Sequence, residues 1–440
     1  MTMKLTINSK PDKPLRGTIE VPGDKSISHR ALILGGISEG TTNIRNLLEG
    51  EDVLSTAQIL NVLGVRTHKM GSTWRVEGRG MRGLHEPTEV LNCGNSGTTM
   101  RLMTGLLAGL KISSSLTGDE SLNARPMDRV IEPLRKMGAK IQEVKGPKGR
   151  LIVIKKSDDP LEGGEFRLKV ASAQLKTALL LAGLTSGQKV VVHEPLKSRD
   201  HGERLIKAFG AAISTHGLKV TIDVSPRIKG QKIVVPGDFS SATFFLVAGL
   251  ISRNPKTAIK IRNVGINPTR MGALEILKKM GGKIAVNNKR MICGEPVADL
   301  LVKSSQLKGV SVPKEMIPSL IDEVPILAVA ASVAKGKTIF RGAEELRVKE
   351  TDRIKALATE LPKFGIKIKE LKDGLEITGI EQPRGAVVKS YGDHRMAMSF
   401  AILGTLATGQ TLIDDNDCIR TSFPNFHALA KKVGVSFNIS

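Results

Sequence analysis

Along this chain the apolar positions fall into one pattern that returns six times. In each copy an apolar helical stretch ends, a glycine follows, and the apolar residues then alternate. The copies are LNVLGVRT at Gly64, LRKMGAKI at Gly138, IKAFGAAI at Gly210, LKKMGGKI at Gly281, LPKFGIKI at Gly365 and AKKVGVSF at Gly434. A period that changes from 3.6 to 2 across a glycine predicts helix, left-handed glycine cap, then strand. Upstream of each copy lies a polar cluster that opens an Ala/Leu-rich helix. These are GDKSISHRALILGGI, GNSGTTMRLMTGLLAG, ASAQLKTALLLAGL, GDFSSATFFLVAGLI, IDEVPILAVAASVAKG and GDHRMAMSFAILGTLATG. They are apolar nearly all round, which predicts burial. The downstream helices carry Lys and Glu on one face and should be exposed.

The repeats organise the whole chain. VPGDKSISHRALILGGI from Val21 aligns with VPGDFSSATFFLVAGLI from Val235, an offset of 214 residues. Six units of roughly 70 residues therefore form two halves of three. Each unit should hold two helices and several short strands, an α/β arrangement. Helices buried inside sheets reverse an ordinary α/β barrel. The seam is expected near Val234-Val235-Pro236, giving a first lobe of 22–235 and a second of 1–21 plus 236–440. The first twenty residues precede the first unit and are expected to pair with the second half.

Composition narrows the function. The 440 residues carry 66 Lys and Arg against 43 Asp and Glu, a net charge of +23. Such a balance suits a nucleic-acid binder or an enzyme of multiply anionic substrates. Aromatic residues are only 3%, too few for base-stacking platforms. No apolar run approaches a bilayer span and no secretory signal is evident. The cysteines Cys93, Cys293 and Cys418 lack any metal-binding spacing, so free thiols in a reducing cytoplasm are expected.

Polar residues gather where the upstream helices begin: Lys25-Ser26, Asn95-Ser96, Ser172-Gln174, Ser240-Ser241, Asp322-Glu323 and Asp393-Arg395. A helix N-terminus has unpaired N–H groups and attracts anions. Capping accounts for Ser240-Ser241 and Asn95. It does not account for Lys25, Arg30 or Arg395, since cations there oppose the helix dipole. An anionic ligand is the expected counter-charge. Arg125 before Pro126 and Arg199 before another helix add to the cationic set. Lys349 and Arg353 are expected to share a helical face. GRGMRG reads as a turn, and His29 and His394 as structural histidines.

Taken in order, GDKSISHR, GNSGTTMR, NARPMDR, SAQLK, DEVP, LRVKETDR and GDHRMAMS resemble the signature of the 5-enolpyruvylshikimate-3-phosphate (EPSP) synthase family. The resemblance covers essentially the whole chain. It implies an inside-out α/β barrel of two lobes, each of three repeated units with buried helices. The implied reaction moves the enolpyruvyl group of phosphoenolpyruvate to the 5-hydroxyl of shikimate 3-phosphate and releases phosphate. Lys25, Ser26, Arg30, Ser172, Ala173, Gln174, Arg199, Asp322 and Lys349 would contact shikimate 3-phosphate. Lys25, Gly97, Arg125, Gln174, Arg353 and Arg395 would contact phosphoenolpyruvate. Asp322 would take the 5-hydroxyl proton, and Glu350 with Lys25 would deliver a proton to the methylene carbon. The resemblance implies a cytoplasmic monomer with small-molecule substrates, no cofactor and no metal. Because those residues come from both halves, ligand is expected to draw the lobes together. An unchanged scattering radius with both ligands present would count against this.

The chain departs from the family pattern at two places. Thr421 stands where many members carry lysine, and Ala173 replaces a serine. Two other readings compete. A related transferase acts on UDP-N-acetylglucosamine, but it resembles Lys-Asn rather than Lys25-Ser26 at the first motif. A basic nucleic-acid binder would show steep salt-dependent affinity for random oligonucleotides.

Overall fold

The structure is a computed structural model and describes every residue except 1–3, 9–11, 147–148, 225–226, 436 and 440. It is a mixed α/β fold in two compact units. The first comprises Gly23–Val235 with Ile292–Glu295; the second comprises Met1–Pro22, Pro236–Met291 and Pro296–Ser440. Each unit has its own continuous apolar core.

In the first unit the core is built on Lys25–Ile37, Gly97–Leu110 and Ala173–Ser186. In the second it is built on Phe239–Ile251, Val324–Ser332 and His394–Gly404. All residues of the last three helices are buried. Their sequences are apolar on every face, so no orientation leaves a side that water would favour. Five of the six begin at a side-chain cap: Asp24, Ser96, Ser172, Asp238 and Asp393 each accept a hydrogen bond from a first-turn N–H. Two caps fall elsewhere than expected. Ser96 caps rather than Asn95, and Asp238 caps rather than Ser240, because the capping residue must sit one step before the helical backbone begins.

The described strands form six four-stranded sheets, three in each unit, with one pattern of pairing. In every sheet one edge pair is parallel and the next pair is antiparallel. The first residues of the chain complete two sheets of the second unit. Leu5–Asn8 pairs antiparallel with Gln410–Ile413, and Arg16–Glu20 pairs parallel with Ala258–Gly265.

The repeated glycines act as the period change requires. Gly64, Gly138, Gly210, Gly281, Gly365 and Gly434 take φ between +87° and +99°. An L side chain is disfavoured there, so the helix stops and a strand starts within three residues. No helix among the described residues is long and apolar enough to cross a membrane.

Candidate functional site

Each unit gathers its candidate residues where its buried helices begin. In the first unit Asp24 caps the Lys25–Ile37 helix through Ile27 N at 2.9 Å. The cap orients the first turn, which carries Lys25, Ser26 and, one turn on, Arg30. Lys25 forms an ion pair with Asp52. The counter-charge expected from a ligand is thus supplied from within the protein. Asp52 lies at the start of another helix, so no local spacing in the sequence reveals it.

Arg30 is buried and fixed at three points. Its Nη1 donates to Ser26 O at 3.0 Å, and its Nη2 donates to Ala173 O at 3.3 Å and Thr177 Oγ1 at 2.9 Å. Burial pulls its pKa down to about 10, with Glu203 and Asp24 opposing, so it stays a cation at neutral pH. Ala173 therefore contributes its carbonyl, which no side chain could replace. Ser172 caps the next helix through Leu175 N at 3.3 Å. Gln174 is oriented by Arg101, whose Nη1 donates to its Oε1 at 2.6 Å, and donates in turn to Thr98 Oγ1 at 2.8 Å. Arg199 lies half-buried one residue before Asp200, the residue that precedes the His201–Ala208 helix.

Gly97 opens its helix against two guanidinium groups. A Cβ there would lie 3.0 Å from Arg101 Nη1 and 3.3 Å from Arg125 Nη1. Arg125, nearly buried, donates to Asn95 Oδ1 at 2.7 Å and Asn95 O at 3.3 Å. Asn95, read from the sequence as a cap, is instead the clamp for Arg125. His29 is buried, with Nδ1 2.7 Å from Thr56 Oγ1. Burial, then Lys25 and Arg30, push its pKa well below the usual 6.5, so it is neutral.

In the second unit three cations converge on Asp322, which lies in the 3-10 turn Ile321–Glu323. Lys349 Nζ is 3.5 Å and Arg353 Nη1 3.7 Å from its Oδ1, and Arg395 Nη1 donates to its carbonyl at 3.2 Å. Lys349 and Arg353 meet there for a reason other than helical spacing. The helix begins only at Arg353, and Lys349 ends the preceding 3-10 turn in extended backbone.

Arg353 is the most confined of the group, 1% exposed. It donates to Asp393 Oδ2 at 2.7 Å through Nε and to Glu350 Oε2 at 2.7 Å through Nη2. Burial alone lowers its pKa, but Asp393, Glu350 and Asp322 outweigh that and raise it further, making it a permanent charge. Asp393 also caps the His394–Gly404 helix through Arg395 N at 2.8 Å. One carboxylate therefore fixes the site arginine and the helix that carries Arg395. Thr421 Oγ1 lies 3.2 Å from His394 Nδ1 and donates to Cys418 O at 2.8 Å.

The candidates thus form one cluster in each unit, rich in restrained cations with carboxylates beside them. Such clusters can bind carboxylate and phosphate groups and move protons near them. Asp52, Asn95, Arg101 and Asp393 belong to these clusters, but the sequence pattern assigns them no role there. Their partners lie 27, 30, 73 and 40 positions away, beyond any local pattern.

Comparison with known proteins follows the same lines. Residues 9–429 match the profile described as EPSP synthase (3-phosphoshikimate 1-carboxyvinyltransferase). A protein of Geotalea daltonii named 3-phosphoshikimate 1-carboxyvinyltransferase is 50% identical over 428 residues, covering 97% of this chain and 99% of the relative. One of the same name from Desulforamulus reducens is 48% identical over 432 residues, covering 98% and 99%. The solved structure of EPSP synthase from Acinetobacter baumannii superposes with a TM-score of 0.87 at 41% identity over all of both chains.

Proposed function

This chain belongs to the EPSP synthase family, and we propose that it transfers the enolpyruvyl group of phosphoenolpyruvate to the 5-hydroxyl of shikimate 3-phosphate, releasing phosphate. The observation that carries this reading is the convergence of Lys349, Arg353 and Arg395 on Asp322. A carboxylate held among cations suits substrates that each bear a carboxylate and a phosphate, and supports reading Asp322 as the acid/base group.

In this reading Ser26, Arg30, Ser172, Gln174, Arg199, Lys349, Asp322 and the Ala173 backbone contact shikimate 3-phosphate. Phosphoenolpyruvate meets Lys25, Arg125, Gln174, Arg353, Arg395 and the Gly97 backbone. Asp322 accepts the 5-hydroxyl proton as that oxygen bonds to C2 of phosphoenolpyruvate. Glu350 with Lys25 gives a proton to C3, making it a methyl group and producing a tetrahedral intermediate. In the second stage a methyl proton returns, the bond from C2 to the phosphate oxygen breaks, and phosphate leaves. Each charge-assisted bond to the intermediate is worth about 1.5–3 kcal/mol. The network around Arg353 supports this reading because its fixed donors need no reorganisation as charge develops. We propose further that the two halves are lobes of an inside-out α/β barrel, 22–235 and 1–21 plus 236–440. Support comes from the burial of the six repeated helices and the shared pattern of strand pairing.

The test is phosphate release with both substrates, compared with either alone and with UDP-N-acetylglucosamine as the acceptor. Turnover should require shikimate 3-phosphate. Asp322→Asn and Lys25→Ala should each lose at least about 100-fold in kcat while keeping a cooperative unfolding transition. Unchanged turnover in either variant would remove the catalytic role proposed for that residue.

A further inference from the structure

Next to Asp322 the chain places a second carboxylate that the proposed reaction does not use. Glu323 is completely buried. It stands at the N-cap position of the Val324–Ser332 helix, yet its side chain does not cap that helix. Instead it accepts a hydrogen bond from the Ser240 hydroxyl through Oε1, with Arg270 Nη2 3.8 Å from the same oxygen. Arg270 is held in turn by Asp238 Oδ1 at 2.9 Å and Ser240 Oγ at 2.6 Å. A buried carboxylate is costly unless paired, and here the other oxygen, Oε2, has no hydrogen-bond partner among the described residues.

The repeat offset of 214 places Asp238 and Ser240 on Asp24 and Ser26. In the first unit that helix start leaves Ser26 partly exposed; in the second it is closed by Glu323 and Arg270. A protein carboxylate thus sits against the first turn of the Phe239–Ile251 helix. The consequence falls on Asp322. Its carbonyl is held by Arg395 and the next side chain by Ser240, so the peptide between residues 322 and 323 is pinned at both ends. Turning that peptide would swing the Asp322 carboxylate away from Lys349 and Arg353.

We infer that Glu323 is a positioning residue for the proposed transfer, its carboxylate locked between Ser240 and Arg270 so that the Ile321–Glu323 turn aims Asp322. This rests on the activity proposed above. The test is steady-state kinetics of Glu323→Ala, Glu323→Gln and Ser240→Ala, alone and combined with Asp322→Asn. Glu323→Ala should lower kcat by about tenfold or more with both KM values within about threefold. Glu323→Gln, which still accepts from Ser240, should recover part of that loss. In the Asp322→Asn background Glu323→Ala should cost less than about twofold further, because residues acting through one group are not additive. If Glu323→Ala fails to unfold cooperatively, Glu323→Gln and Ser240→Ala decide, each expected to lower kcat about threefold or more with KM held. Wild-type kcat in these variants, or an equal penalty with and without Asp322, overturns the inference. A wild-type protein that turns over neither substrate sinks the proposed activity, and this role with it.

Discussion

At Gly97 the difference between hydrogen and a methyl group is felt by two arginines. The nearest atoms to an added Cβ are guanidinium nitrogens at the ends of long side chains, so Gly97→Ala can fold by moving them. What moves includes Arg125, proposed to hold phosphoenolpyruvate. The KM for phosphoenolpyruvate should rise about tenfold. The KM for shikimate 3-phosphate should rise less, through Arg101 and the Gln174 side chain that it orients, and kcat should change little. Equal shifts in both KM values would contradict the assignment. His29 makes a second residue-scale case. Its folded pKa is depressed, first by burial and then by Lys25 and Arg30. Below pH 6.5 the unfolded chain takes up a proton that the folded chain refuses, so stability falls as pH drops. The contribution has a slope of at most about 1.4 kcal/mol per pH unit. Urea unfolding between pH 7.5 and pH 5.5 should show a shallower slope in His29→Gln than in wild type. Parallel slopes would mean that another group sets the acid limit.

Between elements, the buried charges of the first unit do what apolar packing does elsewhere. Lys176 is completely buried in the Ala173–Ser186 helix. Its Nζ lies 2.9 Å from Glu194 Oε2 and 2.7 Å from Glu203 Oε1, tying that helix to the His201–Ala208 helix and to the segment after strand Val190–His193. Removing the cation strands two carboxylates out of water. Lys176→Met should therefore cost about 3–5 kcal/mol by urea denaturation. Adding Glu194→Gln and Glu203→Gln should recover much of it. A single substitution costing under about 1 kcal/mol would mean that water reaches the triad. This triad also marks a limit on what sequence conveys. The helix–glycine–strand repeats were legible because caps and periods are local chemistry. Gly210 announces its helix end within four residues of its own position. Parallel edge strands such as Leu91–Asn92 and Val387–Val388 were not, since two residues carry no period. In the site, Lys25 stood out as a cation at a helix start, Arg125 as one before proline, and Arg353 as one expected on a helical face with Lys349. Their partners Asp52, Asn95 and Asp393 became visible only when the fold brought distant segments together.

For the whole molecule the charge of +23 can act at two ranges, and salt separates them. Arg30, Arg125, Arg353 and Arg395 are all at least nine-tenths buried, so contacts they make to a bound substrate are weakly screened. The many exposed lysines, among them Lys283 and Lys289, act only through solvent and only at a distance. The Debye length shrinks from about 30 Å at 0.01 M salt to about 10 Å at 0.1 M and about 3 Å at 1 M. If the exposed charge concentrates dianionic substrates, kcat/KM for both should fall about tenfold or more between 0.01 M and 0.5 M salt. Over the same range kcat should change less than about threefold, because the bound complex depends on the buried arginines. A flat kcat/KM would make the surface charge incidental to catalysis. A fall in kcat as steep as that in kcat/KM would mean that the bound state itself is open to solvent ions, which four confined guanidinium groups argue against.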